Sequence, residues 1–200
     1  MDSAAWDARY AAQELVWSAE PNRFVVEELS DLPPGRALDV AAGEGRNAIW
    51  LASRGWRVTA VDFSRVAVEK GRRIAAQRGV EVEWVVADVR TYRPPAGRFD
   101  VVLVAYLHLA LDELASVLRT AAAAVAPGGT MLVVGHDLSN LTEGVGGPQD
   151  PRLLYTVEGV VAALPGLRVV RAERARRPVP GEPRDALDTV VRAVRPAVPA

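Results

Sequence analysis

The sequence predicts an α/β fold: a doubly wound, mostly parallel, seven-stranded sheet that ends in an antiparallel C-terminal hairpin. Through the middle of the chain, short β-branched runs alternate with longer segments of helical spacing, which is typical of βαβ units. Two further strand-like runs close the chain with no room for a helix between them, so they are expected to pair antiparallel. With 200 residues, of which 50% are hydrophobic, the chain is predicted to form a single domain over residues 1–200.

Glycine, proline and N-cap residues mark the ends of the predicted elements. The helix after the first strand ends at Gly55, and the next helix starts at Ser64, a favourable N-cap, and stops at Gly79. The helix before the fifth strand is halted by Pro127 and two glycines. The predicted strands are Arg36–Ala41, Arg57–Val61, Val80–Ala87, Phe99–Ala105, Thr130–Gly135, Leu167–Ala175 and Ala186–Val194. The helices between them are Gly45–Arg54, Ser64–Arg78 and Leu111–Ala126.

Two segments lie outside this alternation. Residues 1–30 are predicted to form a helical cap of two helices, the second opened by Pro21 and Asn22. Asp137–Tyr155 is a long Gly- and Pro-rich stretch that follows the fifth strand. Loops of this length in a compact domain are usually functional or disordered, and this one leaves the sheet edge where α/β proteins bind ligands. We therefore expect residues 137–155 to form a substrate lid.

The composition excludes several functions. The absence of cysteine rules out disulfides, zinc–thiolate sites and a thiol nucleophile. Two histidines provide few ligands for a metal site, so no metal is expected. A formal net charge of −1 argues against a nucleic-acid partner. No apolar run is long enough to span a bilayer, and the N-terminus lacks a signal-peptide pattern. A cytoplasmic protein without a membrane partner is predicted, and nothing in the sequence indicates its oligomeric state.

The spacing of glycines and acidic residues predicts a nucleoside site. Gly43 and Gly45, after the first strand, allow a tight turn and a close approach of the backbone to a ligand. The following helix offers its N-terminal amides to an anionic group. Asp62, at the end of the second strand, can accept both hydroxyls of a ribose, and Asp88, after the third strand, is well placed for the amine of a purine. Because these strand ends are expected to be neighbours, they together describe an adenosine-shaped site.

The glycine motif alone does not identify the adenosine compound, because Gly43-x-Gly45-x-x-Ala48 also fits the dinucleotide fingerprint. Three features argue against an NAD(P)-dependent oxidoreductase. Asp39 lies inside the first strand, where it is poorly placed beside a pyrophosphate but can orient the glycine turn. The closing hairpin is not a second mononucleotide-binding half, and the sequence contains no Tyr-x-x-x-Lys pair. A non-catalytic cofactor-binding protein is the other alternative left open.

Five segments resemble the successive motifs of the class I S-adenosylmethionine-dependent methyltransferases: LDVAAGEGRNAIWLA, VDFS, VVADV, FDVVLVAYLHL and PGGTMLVVGHD. Two more segments narrow the resemblance to the tellurite-resistance/thiopurine-methyltransferase-like branch, which modifies small molecules: WDARYAAQELVWSAEPN and GHDLSNLTEGVGGPQDPRLLY. The resemblance runs from Trp6 to about Pro196. The family usually has glycine at the first position of a Gly-x-Gly-x-Gly turn. Here that position is Ala41, which is expected to keep ordinary strand dihedrals.

The resemblance implies a Rossmann-like methyltransferase fold, S-adenosyl-L-methionine as the cofactor and S-adenosyl-L-homocysteine as its product. It implies that the turn backbone faces the methionine part, that Asp62 holds the ribose and that Asp88 accepts the adenine amine. The implied cofactor-binding residues are Tyr10, Trp17, Ala41, Gly43, Gly45, Asp62, Phe63, Asp88, Val89 and Ala105. Arg46 is a further candidate, as a partner for the cofactor carboxylate.

Methyl transfer needs few catalytic groups from the protein, because the sulfonium already activates the methyl group. The enzyme need only align the reacting atoms and exclude water. No dedicated catalytic residue is therefore predicted. The expected contacts to a small-molecule acceptor are Trp17, Tyr106, His108 and His136. A thiol, a chalcogen oxyanion, a halide and a hydroxyl all remain open as the acceptor, and so does a role of His108 or His136 as a base.

Overall fold

A computed structural model describes residues 3–13, 15–16 and 18–197 of the chain. The strands are β1 Arg36–Val40, β2 Arg57–Asp62, β3 Glu83–Val86, β4 Phe99–Ala105, β5 Val125–His136, β6 Arg168–Arg177 and β7 Ala186–Val194. They form one sheet in the order β3-β2-β1-β4-β5-β7-β6. The first five strands are parallel, and β7 runs antiparallel to both β5 and β6. The predicted fold class, including the antiparallel hairpin, is confirmed.

The helices are α1 Ser3–Ala11, α2 Arg23–Leu29, α3 Arg46–Ser53, α4 Arg65–Gln77, α5 Leu111–Ala124, α6 Asn140–Glu143 and α7 Val157–Ala162. The predicted N-cap of α4 is confirmed, because the Ser64 hydroxyl accepts a hydrogen bond from the backbone N–H of Ala67 at 3.1 Å. Asn22 caps α2 in the same way, with its side-chain oxygen 2.9 Å from the backbone nitrogen of Phe24. Two helices therefore precede β1, as predicted.

The core lies on both faces of the sheet, and alternate residues of each central strand serve opposite faces. In β4, Val102 and Val104 pack on the face that α5 and α7 cover, whereas Val101 and Leu103 pack on the face that α2 and α3 cover. All four side chains are fully buried. Burial on both faces explains why this strand is an unbroken apolar run in the sequence.

The start of β5 differs from the prediction. Helix α5 ends at Ala124, and β5 begins at Val125, so the proline and two glycines lie inside the strand. The register against β4 shifts there, because Phe99 pairs with Val125 but Val101 pairs with Thr130. A Cβ on Gly129 would lie 2.9 Å from the carbonyl oxygen of Ala126. These turn-forming residues therefore form an irregularity within the strand instead of a loop before it.

Residues 137–155 fold back onto the sheet and include α6 and the short 3₁₀ helix Pro151–Leu153. The buried Asn140 accepts a hydrogen bond from the backbone N–H of Leu187 at 2.7 Å and donates to the carbonyl of Gly146 at 2.8 Å. The hydroxyl of Tyr155, which is 1% exposed, donates to the carbonyl of Leu107 at 2.7 Å. The segment is thus anchored at both ends, and its role as a lid stays a prediction.

The longest helix is α5, with 14 residues. Throughout the described ranges, no helix combines the length and the apolar character needed to cross a bilayer.

Candidate functional site

A cavity of about 440 Å³ opens at the carboxyl ends of the parallel strands. Its lining brings together every predicted site residue in the described part of the chain: Tyr10, Ala41, Gly43, Gly45, Asp62, Phe63, Asp88, Val89, Ala105, Tyr106, His108 and His136. Trp17, the remaining predicted residue, lies outside the described residues. The predicted lid segment, residues 137–155, contributes nothing to the described lining.

The turn between β1 and α3 has a left-handed backbone at alternate positions. Ala41, Gly43 and Gly45 have φ values of 60°, 58° and 79°. The expectation that Ala41 keeps strand dihedrals is therefore wrong: it adopts a left-handed conformation, which glycine adopts without strain. At Gly45, a Cβ would also lie 2.2 Å from the ring of Trp84, so packing as well as φ requires glycine there.

Asp62 fixes this turn from the neighbouring strand. Its carboxylate accepts the backbone N–H of Gly43 at 2.8 Å through one oxygen and that of Ser64 at 2.9 Å through the other. Burial raises the pKa of this carboxyl, and these two hydrogen bonds oppose the rise. A carboxylate has about four acceptor positions, so two remain for a ligand.

Asp39, in the middle of β1, is a second buried carboxyl beside Asp62. It is 1% exposed, and its Oδ2 has no hydrogen-bond partner among the described residues. Burial, followed by repulsion from Asp62, raises the pKa of Asp39 to about 7. The glycine turn is held by Asp62, since Asp62 and not Asp39 accepts the Gly43 amide.

Asp88 lies near the cavity end closest to β3 and is paired with Arg90. The guanidinium Nε and Nη2 of Arg90 lie 3.0 and 2.7 Å from the carboxylate oxygens. The hydrogen bond from Arg90 lowers the pKa of Asp88. A ligand amine would share this carboxylate with Arg90.

The N-terminal helix covers the same side of the cavity. Asp7 accepts hydrogen bonds from the Ser64 hydroxyl at 2.5 Å and from the backbone N–H of Val66 at 3.2 Å. The ammonium of Lys70 bonds the backbone carbonyls of Tyr10 and Gln13. These contacts attach α1 to α4 and bury Tyr10 to 4% exposure against the cavity.

Arg46, at the start of α3, also lines the cavity, and its guanidinium bonds the Ser18 hydroxyl at 3.3 Å. Burial lowers the pKa of Arg46, although a guanidinium stays charged at neutral pH. This cation thus lies at the wall of the cavity, beside the glycine turn.

The opposite end of the cavity is built around Asp188, a residue that the sequence analysis missed. Its fully buried carboxylate accepts the Tyr106 hydroxyl at 2.9 Å and Nε of Arg177 at 2.6 Å. Nδ1 of His136 lies 3.2 Å from its other oxygen. A signal was present, because Asp188 interrupts an otherwise apolar strand, ALDTVV.

The groups at this end are held in defined protonation states. Burial alone would raise the pKa of Asp188, but His136 and Arg177 outweigh it and hold the pKa below its usual value. Burial lowers the pKa of His108 to about 4, so this imidazole is neutral near pH 7. Burial and the neighbouring Asp188 raise the pKa of the Tyr106 hydroxyl, which therefore stays protonated.

The middle of the chain matches a known family. Residues 37–129 match the family model described as a methyltransferase domain. Over 114 residues the chain is 32% identical to a demethylmenaquinone methyltransferase of Thermus thermophilus. The aligned residues make up 56% of this chain and 52% of that protein. Over 99 residues it is 35% identical to a ubiquinone biosynthesis O-methyltransferase of a Caulobacter species, covering 49% and 39%. The chain thus spans about half the length, or less, of these curated relatives.

Solved structures show the same fold. The S-adenosylmethionine-dependent methyltransferase SibL is 26% identical, with a TM-score of 0.65 over 86% of this chain and 53% of that one. A structure from work on the conversion of a disulfide bond into a thioacetal group during echinomycin biosynthesis has a TM-score of 0.78 at 22% identity, covering 99% and 93%. TehB from Haemophilus influenzae has a TM-score of 0.72 at 15% identity, covering 88% and 62%.

The fold, the cavity at its strand ends and the match of residues 37–129 are together similar to those of the class I S-adenosylmethionine-dependent methyltransferases. The match to the methyltransferase domain model runs from β1 into the start of β5.

Proposed function

We propose that the protein transfers a methyl group from S-adenosylmethionine to a small-molecule acceptor. The observation that carries this proposal is the continuity of the cavity, which runs from Asp88 and Asp62 past the left-handed turn to Tyr106 and His136. A nucleoside-binding end and a polar acceptor end therefore share one space. Its volume of about 440 Å³ lies within the range of small-molecule sites, roughly 300–1,000 Å³.

The end of the cavity near Asp62 and Asp88, which we call the cofactor end, has separate groups for the adenosine part and the methionine part of the cofactor. The two free acceptor positions of Asp62 suit the ribose hydroxyls, while Asp88 and the Val89 amide suit the edge of adenine and Phe63 suits its face. The carbonyl of Ala105 suits the methionine amino group. The remaining proposed contacts are the turn backbone at Ala41, Gly43 and Gly45, the Arg46 guanidinium toward the carboxylate, and the covering side chains of Tyr10 and Trp17.

The cofactor supplies a methyl group that its sulfonium makes electrophilic. The protein's part is to align the acceptor with that methyl group and to exclude water, which can lower the barrier by roughly 7–11 kcal/mol. Buried Tyr10 and α1 close the cavity over its cofactor end. Tyr106, His108 and His136 line the acceptor end, where they would contact the acceptor.

A small acceptor is supported by three observations. The cavity is enclosed on one side by α1, the net charge of −1 does not favour a nucleic acid, and the relatives above carry names of quinone-modifying enzymes. Membership of the tellurite-resistance/thiopurine-methyltransferase-like branch is proposed on the N-terminal segment from Trp6 and the segment that follows β5. We also propose that residues 137–155, which form the segment after β5, act as a substrate lid.

Two measurements test this function in sequence. Isothermal titration should show binding of S-adenosylhomocysteine and none of NADH. A coupled assay for S-adenosylhomocysteine release should then show turnover of one class among small thiols, chalcogen oxyanions and phenols. Binding of NADH in place of S-adenosylhomocysteine would favour an oxidoreductase. Cofactor binding without turnover across the panel would favour a non-catalytic binding protein.

A further inference from the structure

The acceptor end of the cavity contains a carboxylate–histidine pair. Asp188, on β7, is completely buried, and its Oδ1 lies 3.2 Å from Nδ1 of His136 at the end of β5. Its Oδ2 accepts the Tyr106 hydroxyl and the Arg177 guanidinium. Asp188 is thus an ionised group fixed by contacts from three different elements, and it faces one edge of the imidazole.

This contact favours one nitrogen of His136 as the basic one. A neutral imidazole has one N–H and one lone pair, and neither Nδ1 of His136 nor Oδ1 of Asp188 has another hydrogen-bond partner among the described residues. At 3.2 Å, a small rotation of the ring aligns an N–H on Nδ1 with the carboxylate, so we expect the tautomer with its hydrogen on Nδ1. The lone pair is then on Nε2, at the opposite edge of a ring that lines the cavity and is 13% exposed. Nε2 is therefore the nitrogen that a ligand can reach.

The ring has little freedom to turn away. The centroid of the Tyr106 ring lies 4.9 Å from that of His136, and the His108 ring stacks on it at 6.0 Å and 15°. A Cβ on Gly147 would lie 2.9 Å from the imidazole, so the glycine backbone packs closely against the ring. A fixed orientation is what a proton acceptor needs.

The pair also lies where an acceptor would be. The proposed ribose group Asp62 ends β2, and the turn that faces methionine follows β1, whereas His136 ends β5, two strands further along the sheet. The strand between them, β4, leads into Tyr106, whose backbone N–H bonds the carbonyl of Val134 at 2.7 Å. His136 is therefore beyond the proposed methionine position, on the side opposite the adenine position.

We propose that His136 accepts the proton of the methyl acceptor, that Asp188 is its positioning residue, and that the acceptor is a small molecule with an ionisable O–H or S–H group. This inference rests on the proposed function and deepens it. Halides and fully ionised oxyanions, which have no proton to give, are then disfavoured as acceptors.

The step balances without any further reactant. The acceptor oxygen or sulfur forms the new bond to the methyl carbon, and the carbon–sulfur bond breaks with its electron pair left on sulfur. The acceptor proton moves to Nε2 of His136, and the resulting imidazolium is paired with the Asp188 carboxylate. Exchange with water after product release returns the ring to its neutral form.

The other groups near His136 do not compete for this role. Tyr106 stays protonated because it donates its hydrogen to Asp188, and Arg177 is a cation bound to the same carboxylate. His108 faces the ring from the loop after β4 and is neutral, and Arg9 contributes positive charge beside it. His108 has no carboxylate among the causes of its lowered pKa, so it is better suited to contact than to proton transfer.

A first test observes the ring directly and needs no acceptor. Because the chain has two histidines, a long-range proton–nitrogen NMR spectrum contains two imidazoles, and a His108→Asn spectrum assigns them. We expect neutral His136 to carry its hydrogen on Nδ1, and Asp188→Asn to abolish the preference for that tautomer. A hydrogen on Nε2 in the neutral wild-type ring, or a ring protonated throughout pH 5–9, would overturn the proposal without reference to any variant.

A second test separates base catalysis from a structural role. With a series of substituted phenols and thiophenols, His136→Asn should lower kcat/KM at pH 7 by about 100-fold or more for members that are protonated at that pH. The loss should be less than about tenfold for dinitrophenols, which are already ionised at pH 7. Asp188→Asn should lower kcat for the protonated members more than for the ionised ones.

The outcomes of the second test are distinct. An equal loss for ionised and protonated acceptors would show that His136 acts only as a contact. Turnover of oxyanions or halides but of no phenol or thiophenol would overturn the acceptor class. Failure to bind S-adenosylhomocysteine would instead overturn the proposed function, and titration calorimetry reports that separately.

Discussion

Asp62 combines two tasks in one side chain. It holds the amides of Gly43 and Ser64, and it keeps two acceptor positions that we propose for the ribose. The same carboxylate shapes the turn and, on the proposed function, also receives the ligand, so its removal is expected to act on both.

Asp62→Ala should lower the affinity for S-adenosylhomocysteine ten- to a hundredfold, because charge-assisted hydrogen bonds contribute roughly 1.5–3 kcal/mol each. Isothermal titration measures the change. Asp112→Ala removes an exposed carboxylate on α5, outside the cavity lining, and is the matched control. Unchanged affinity in Asp62→Ala would remove this residue from the cofactor site.

Ala41 has a strained backbone at the first position of the turn. Its φ of 60° costs an alanine roughly 1–2 kcal/mol, and the flexibility of glycine in the unfolded chain returns about 0.4–1 kcal/mol of that. Ala41→Gly should therefore raise the free energy of unfolding by about 0.5–1 kcal/mol, measured by urea denaturation. Ala42→Gly, at a neighbour without positive φ, should lower it. A loss of stability in both variants would contradict the left-handed geometry.

Asp39 should make stability depend on pH. Its pKa is about 7 in the folded protein and 3.8 without burial, so the folded state favours the protonated carboxyl. Its contribution to stability is complete below pH 3.8 and is lost as the pH rises through 7. Relative to Asp39→Asn, the wild type should lose on the order of 2–4 kcal/mol between pH 4 and pH 8, measured by denaturation at each pH. Parallel stability curves for the two proteins would rule out the buried carboxyl as the cause.

Helix α1 is held to α4 by polar contacts, which suit an element that must open for a ligand to enter. Asp7 bonds Ser64 and Val66, and Lys70 bonds the carbonyls of Tyr10 and Gln13. Contacts of this kind open at low cost compared with a packed apolar face.

Bound S-adenosylhomocysteine should slow hydrogen exchange in residues 3–13, because the ligand would fill the cavity that α1 covers. Mass spectrometry measures the change, and α7, which lies away from the cavity, is the internal control. Asp7→Ala should raise exchange in residues 3–13 without ligand and reduce the protection by ligand. The same protection in α1 and α7 would indicate a general stabilisation instead of a closing cap.

The elements that bear the cofactor end were predictable, and the pairing at the acceptor end was not. Gly43, Asp62 and Asp88 follow strands that periodicity locates, and parallel strands bring their carboxyl ends to one edge. Asp188 and His136 meet only because β7 pairs with β5, and local patterns cannot specify that neighbour. The early start of β5 was missed for a similar reason, because Pro127 signals a turn and the bulge depends on pairing with β4.

Across the whole molecule, ligand chemistry changes along the sheet. The proposed adenosine position lies at β3 and β2, the proposed methionine position lies at β1 and β4, and the carboxylate–histidine pair lies at β5 and β7. The central strands are buried on both faces, so they fix these distances rigidly.

Ligand binding should therefore stabilise the fold as one unit. S-adenosylhomocysteine at a hundred times its Kd should add about 2.7 kcal/mol, which corresponds to a Tm increase of roughly 5–10 °C for a chain of this size. Thermal unfolding followed by circular dichroism measures the shift, and NADH at the same concentration should cause none. A comparable shift with NADH would contradict the cofactor assignment.

The antiparallel hairpin lies wholly beyond residue 129, where the family match ends, yet it supplies Arg177 to the cavity wall and places Asp188 directly behind that wall. On the proposed function, the groups that hold the nucleoside therefore lie within residues 37–129, whereas the proposed base His136 and its partner Asp188 lie beyond them. Replacing the C-terminal third with that of a relative is therefore expected to change the methyl acceptor while leaving the binding of S-adenosylhomocysteine intact.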